Sequence, residues 1–135
     1  MENTSFLTLL IALQFAAFGW RINREISLGD KIRKTWLPIV DILNIVSMLV
    51  VVVICIILPL IGLSFTKLIK ITISEAYILI IFHLINMSAH YRLFSKKGRY
   101  MYIQENKDFP YITDQEYFTY ILTLISMIIV FLLMI

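Results

Sequence analysis

The groups best able to do chemistry in this sequence sit in an oily stretch, "ITISEAYILIIFHLINMSAH", residues 71–90. His83, Asn86 and His90 are its conspicuous polar members. On a helix turning about 100° per residue, these three and Glu75 fall within a sector of roughly 80°, a single polar stripe on an Ile, Leu and Met surface. A stripe of this kind faces protein or water rather than lipid. Imidazoles in such a place can carry a proton, ligate a metal or haem, or pair with a carboxylate. Other apolar runs carry matching groups: Gln14, then Asp41, Asn44 and Ser47, then Thr119 and Thr123. The candidate intramembrane cluster is therefore Gln14, Asp41, Asn44, His83, Asn86 and His90. A carboxylate in a low dielectric is unfavourable alone, and an imidazolium beside it offsets that, so Asp41 with His90 is the expected pair.

Two cofactor-type readings are weak. His83 and His90 lie two turns apart, roughly 10 Å along a helix, too far to share one metal ion. The sequence holds only these two histidines, so a bis-histidine haem would need a second copy of the chain. No metal site and no cofactor is expected. HExxH, GxSxG and Gly-rich phosphate loops are absent, and an intramembrane enzyme built on Asp41, His83 and His90 lacks a nucleophile, so the chain is not read as an enzyme. The commonest role for such side chains is hydrogen bonding between membrane helices.

The elements that must position these groups follow from hydropathy. Of 135 residues, 60% are hydrophobic, and the mean hydropathy is +0.87. A soluble domain holds about 45–50% apolar residues. The excess is gathered into runs at about 4–20, 38–61, 73–94 and 116–135. Each is near the ~20 residues that cross ~30 Å of hydrocarbon. Lipid offers no partner to backbone polar groups, so these runs are expected to be helices, including the β-branched "LVVVVICII". Thr113 and Glu116 have the spacing of a capping box at the start of the fourth run. Pro59 is expected to kink the second. The first run has no basic segment before it and reads as a retained helix rather than a cleaved signal peptide. Cys55 is the only cysteine, so no internal disulfide forms. The expected fold is all-α: one transmembrane domain over 1–135, an integral membrane four-helix bundle.

Charge sets the expected orientation. Arg21, Arg24, Lys31, Arg33 and Lys34 lie between the first two runs, and Arg92, Lys96, Lys97, Arg99 and Lys107 follow the third. Only Lys67 and Lys70 separate the second and third. The excess of Lys and Arg puts basic loops 1 and 3 in the cytoplasm, N-out and C-out, with a plasma (inner) membrane as the setting. Arg21, Arg24, Arg33, Lys34, Arg92, Lys96, Lys97 and Arg99 are candidate contacts for anionic lipid head groups or a partner. The net charge of +3 is spread over the ends of apolar runs and diluted by acids, so nucleic acid is not an expected partner.

Depth along the helices then separates two halves. Polar groups of all four runs fall in the cytoplasmic half, while "VVICIILPLIG" and "MIIVFLLMI" leave the outer half bare. Ala12, Ala16 and Gly19 give the first run a small-residue face suited to close helix contact. The leading expectation is a small non-enzymatic multi-pass membrane protein. It would assemble with itself, or with another membrane or cytoplasmic subunit, as an accessory, immunity or defence-type component. The alternative is a small oligomeric channel or permeabilising protein whose stripe lines a cytoplasm-facing vestibule. An intramembrane enzyme or haem protein comes last.

Overall fold

The computed structural model describes residues 2–32, 37–96 and 112–135. Among them every regular element is helical. We label the long helices α1 (Glu2–Ile32), α2 (Ile39–Val52), α3 (Thr66–His90) and α4 (Asp114–Met134). Helix α2 continues through a π-helical turn, Val53–Ile57, and a last turn, Leu58–Leu60. Four stretches are long and apolar enough to cross a membrane: Thr4–Arg24, Ile39–Leu60, Thr66–His90 and Asp114–Met134. The described residues thus form an all-helical structure with four helices suited to spanning a membrane, each near the position expected from hydropathy.

Two boundaries differ from expectation, each for a physical reason. Helix α1 does not stop near residue 20 but runs on through Arg21 and Arg24 to Ile32. No proline interrupts residues 21–32, and the charge of Arg21 is met inside the bundle, so helix persists beyond the apolar run. Helix α3 starts at Thr66 and ends at His90, shifted towards its N-terminus from the apolar run at 73–94. Lys67 and Lys70 break the hydropathy signal without breaking the helix, because lysine is a good helix former.

Helix ends follow local chemistry. At α4 the Thr113 hydroxyl accepts from the Glu116 N–H at 3.0 Å, while the Glu116 carboxylate accepts from the Thr113 N–H at 3.3 Å, completing the expected capping box. Past Leu60, Gly62 N–H bonds to Pro59 and Leu63 N–H to Leu58, a Schellman pattern with Gly62 at φ 84°. The same pattern ends α3, where Arg92 N–H bonds to Ala89 and Leu93 N–H to Ser88. Here Arg92 takes the left-handed position at φ 51°. The π turn precedes Pro59, which has no N–H for the carbonyl of Cys55 and whose ring crowds that carbonyl. Widening the turn relieves this clash.

Cross-helix contacts fix the topology. Gln14 meets Ser47 and Arg21 meets Asp41, so α1 and α2 run antiparallel. Tyr77 donates to the Phe6 carbonyl and Arg21 donates to the Tyr91 hydroxyl, so α1 and α3 run parallel. Asn86 meets Thr123, and Lys67 meets the Ile135 carbonyl, so α3 and α4 are antiparallel. The result is an up-down-up-down bundle in which α3 touches all three other helices or their entry turns. One half of its interior is an apolar core of Leu10, Val51, Cys55 and Ala76, flanked by Leu7, Ile11, Ile54, Ile73, Tyr77 and Ile80. The outward faces of α2, α3 and α4 are mostly Ile, Leu, Val and Phe, a surface suited to lipid.

Candidate functional site

The other half of the interior is polar. Gln14, Arg21, Asp41, Asn44, Ser47, His83, Asn86, His90, Glu116, Thr119 and Thr123 are all buried there. Each helix positions its share by periodicity. Leu10, Gln14 and Arg21 are spaced i, i+4 and i+11 on one face of α1. Asp41, Asn44 and Ser47 line one face of α2, and Glu116, Thr119 and Thr123 one face of α4.

At the end of the bundle nearest the α1–α2 and α3–α4 connections, two ionic clusters close the layer. In the first, Arg21 Nε donates to Asp41 Oδ2 at 2.8 Å, and Arg21 Nη1 donates to the Tyr91 hydroxyl at 2.6 Å. The Arg24 guanidinium lies 4.0 Å from the centroid of the Tyr91 ring, a cation–π contact that covers this cluster. In the second, His90 Nδ1 lies 3.0 Å from Glu116 Oε2. Tyr120 donates to Glu116 Oε1 at 2.5 Å and accepts from the Val40 N–H at 3.2 Å, tying α4 to the first turn of α2. The Thr113 hydroxyl donates to the Ala89 carbonyl at 2.8 Å, joining the start of α4 to the end of α3.

Deeper in, the groups are neutral or shared. Gln14 Nε2 donates to the Ser47 hydroxyl at 3.0 Å, and Asn44 Nδ2 reaches the Gln14 carbonyl at 3.5 Å. Asn86 Nδ2 donates to Thr123 Oγ1 at 3.2 Å. His83 Nε2 lies 3.5 Å from Asp41 Oδ1. Beyond this level, Glu75 points both carboxylate oxygens into buried space without a hydrogen-bond partner among the described residues.

The expected pairing of Asp41 with His90 is corrected. Asp41 is claimed by Arg21 and approached by His83, and His90 is claimed by Glu116. Helix α3 lies between α2 and α4, so stripe residues at different heights meet different neighbours. Depth alone does not say which. Arg21 is also corrected: it is 0% exposed and ion-paired rather than a lipid or partner contact. Arg24 is half-buried on Tyr91, Arg92 is half-buried at the α3 terminus, and Lys96 is exposed. Arg33, Lys34, Lys97 and Arg99 lie outside the described residues.

Sequence reasoning missed Arg21, Tyr91, Glu116 and Tyr120 as members of the layer. A signal existed for two of them. Arg21 follows Gln14 by two turns, and Glu116 precedes Thr119 and Thr123 on one face. Among the described residues no group of three or more His, Cys, Asp or Glu side chains is arranged to hold a metal ion.

No protein family, no curated protein and no solved structure matches this chain.

Proposed function

We propose that this protein is a non-enzymatic multi-pass membrane component that works by assembling through α1, with a second copy of itself or with another membrane subunit. The observation that carries this reading is the outward face of α1. Ser5, Thr8, Ala12, Ala16 and Gly19 are all exposed. At about 100° per residue they occupy a sector of roughly 80°, opposite the buried face of Leu10, Gln14 and Arg21. A Cβ added at Gly19 would meet nothing within 4 Å. The Thr8 hydroxyl is satisfied by the Thr4 carbonyl at 2.9 Å, so it does not need a partner on another helix. Thr4, Ser5, Thr8, Leu9 and Ala12 line a groove along this face.

Between membrane helices there is no hydrophobic drive, because lipid tails are as apolar as leucine; close backbone approach at small residues supplies the attraction instead. Helix α1 keeps its small residues out of its own bundle, so they are available to another helix. A pore lined by polar stripes from several copies is a poorer fit, since the stripes here meet one another inside one chain. The distribution of Lys and Arg supports N-out and C-out placement with the basic connections in the cytoplasm, where anionic head groups or a cytoplasmic subunit would meet them.

The test is the mass of the purified protein in lipid nanodiscs, alone and after Ala12→Ile with Ala16→Ile. A self-assembling chain gives a defined oligomer that the double variant reduces to monomer. Ala16→Cys in a Cys55→Ser background should form an intermolecular disulfide in native membranes. A monomer without crosslinks, and without a membrane subunit that co-purifies through α1, overturns the reading.

A further inference from the structure

The centre of the polar layer holds several buried acceptors that no donor reaches among the described residues, which points to what the site takes. Gln14, Asp41, Asn44, His83 and Asn86 are each at most 3% exposed. Gln14 Oε1, Asp41 Oδ1, Asn44 Oδ1, Asn86 Oδ1 and both ring nitrogens of His83 have no hydrogen-bond partner among the described residues. The residues adjoin one another. Asn44 reaches the Gln14 carbonyl, Asp41 is one turn before Asn44, His83 lies 3.5 Å from Asp41, and Asn86 is one turn after His83. The His83–Asp41 separation is too long for a firm hydrogen bond.

The asparagine orientations are set by their partners. Asn44 reaches a backbone carbonyl, which only accepts. Asn86 reaches Thr123 Oγ1, whose own proton goes to the Thr119 carbonyl at 2.7 Å. Both side chains must therefore present N–H to those partners and turn their oxygens elsewhere. Each amide group also carries a second N–H, so the site presents donors as well as the orphaned oxygens and the two His83 ring nitrogens. A ligand that satisfies them must both donate and accept.

Charge decides its class. Asp41 is already balanced by Arg21 at 2.8 Å. A metal ion or ammonium added here would leave a net positive charge beside the Arg21 guanidinium in a low dielectric, which is strongly unfavourable. Water brings two donors and two acceptors without charge, and buried waters are held by about three hydrogen bonds to groups of this kind.

We propose that the space among Gln14, Asp41, Asn44, His83 and Asn86 is a binding site for water inside the transmembrane bundle, bridging His83 to Asp41 and to the amide oxygens. The site is closed towards the connections by the Arg21–Tyr91 and His90–Glu116 clusters and in the other direction by the core of Leu10, Val51, Cys55 and Ala76.

The test is water-edited solid-state NMR of the protein in bilayers, with ¹³C-carbonyl Phe, uniformly ¹³C,¹⁵N-labelled His and ¹⁵N-Cys. His83 follows Phe82 whereas His90 follows Ala89, so the Phe carbonyl selects the His83 amide and the His carbons relay that assignment to the His83 ring. Cys55 is the single cysteine and lies in the apolar core, so its amide is assigned by type. Magnetisation should pass from water to the His83 ring several-fold faster than to the amide of Cys55. It should be unaffected when Na⁺ is exchanged for K⁺ or for a bulky organic cation. The Asn44→Leu, Asn86→Leu double variant should bring His83 down to the rate of Cys55. Transfer to the wild-type His83 no faster than to Cys55 overturns the proposal. So does a His83 resonance that titrates with Na⁺ or K⁺, which would make the ligand a cation.

Discussion

The two halves of this bundle are built from the same four helices and hold together by different physics. One half is Leu10 against Val51, Cys55 and Ala76, a cluster of apolar side chains with polar groups such as Tyr77 only at its edge. Its stability is van der Waals packing, tolerant of small changes and blind to direction. The other half buries Arg21, Asp41, His90 and Glu116, where each group is held by specific partners elsewhere in the bundle: Arg21 by Asp41 and Tyr91, Glu116 by His90. In lipid the dry half has little to distinguish a correct helix pair from an incorrect one, because Ile and Val are equally content against acyl chains. The polar half supplies that distinction, since a register that separates Arg21 from Asp41 strands two buried charges.

The largest effect expected from this contrast is at Asp41. Asp41→Ala leaves Arg21 buried without its carboxylate and should destabilise the bundle by about 3–5 kcal/mol. Arg21→Met with Asp41→Leu removes both charges and should recover most of that loss, because a buried ion pair is weak evidence for net stability. Reversible unfolding in lipid by steric trapping measures both. Equal losses in the single and double variants would break the assignment of these two groups as partners.

In the dry half, Leu10→Ala should destabilise by about 2 kcal/mol, at the lower edge of core truncations, because the lost term is packing rather than transfer from water. Here no second substitution should restore the loss except one that refills the volume. If Leu10→Ala proves as damaging as Asp41→Ala by the same assay, the distinction between the halves fails.

The smallest effect belongs to the rim, where α3 ends. Arg92 holds a left-handed conformation that glycine adopts without strain. Arg92→Gly should stabilise by about 1 kcal/mol, as a rise in the unfolding midpoint without change in the polar layer. A loss of stability would show that the Arg92 side chain contributes more than its backbone strain removes.

The parts legible in the sequence were those fixed by local rules. Hydropathy located the four spanning helices, and the Thr113–Glu116 spacing located the α4 cap, because both depend on residues close in the chain. The separation into polar and apolar halves followed from depth counting along each helix. Partner choice was not legible. His83 and His90 share a helical face, yet one meets α2 and the other α4, which depends on how α3 is tilted between them. In the sequence Arg21 has the signature of a loop charge, because an arginine at the end of an apolar run ordinarily reports orientation. Its burial is set by Asp41, twenty residues away, and no local pattern encodes that contact.

Helix α1 has a further mechanical consequence. It is 31 residues long without a break, roughly 46 Å at 1.5 Å per residue, against ~30 Å of hydrocarbon. A continuous helix of this length behaves as a stiff rod. The Arg21–Asp41 clamp sits about two-thirds of the way along it, and Leu10 and Gln14 pin the longer arm inside the bundle. A load on the shorter arm, beyond Arg24, would therefore pass along one unbroken helix into the bundle interior, without crossing any loop.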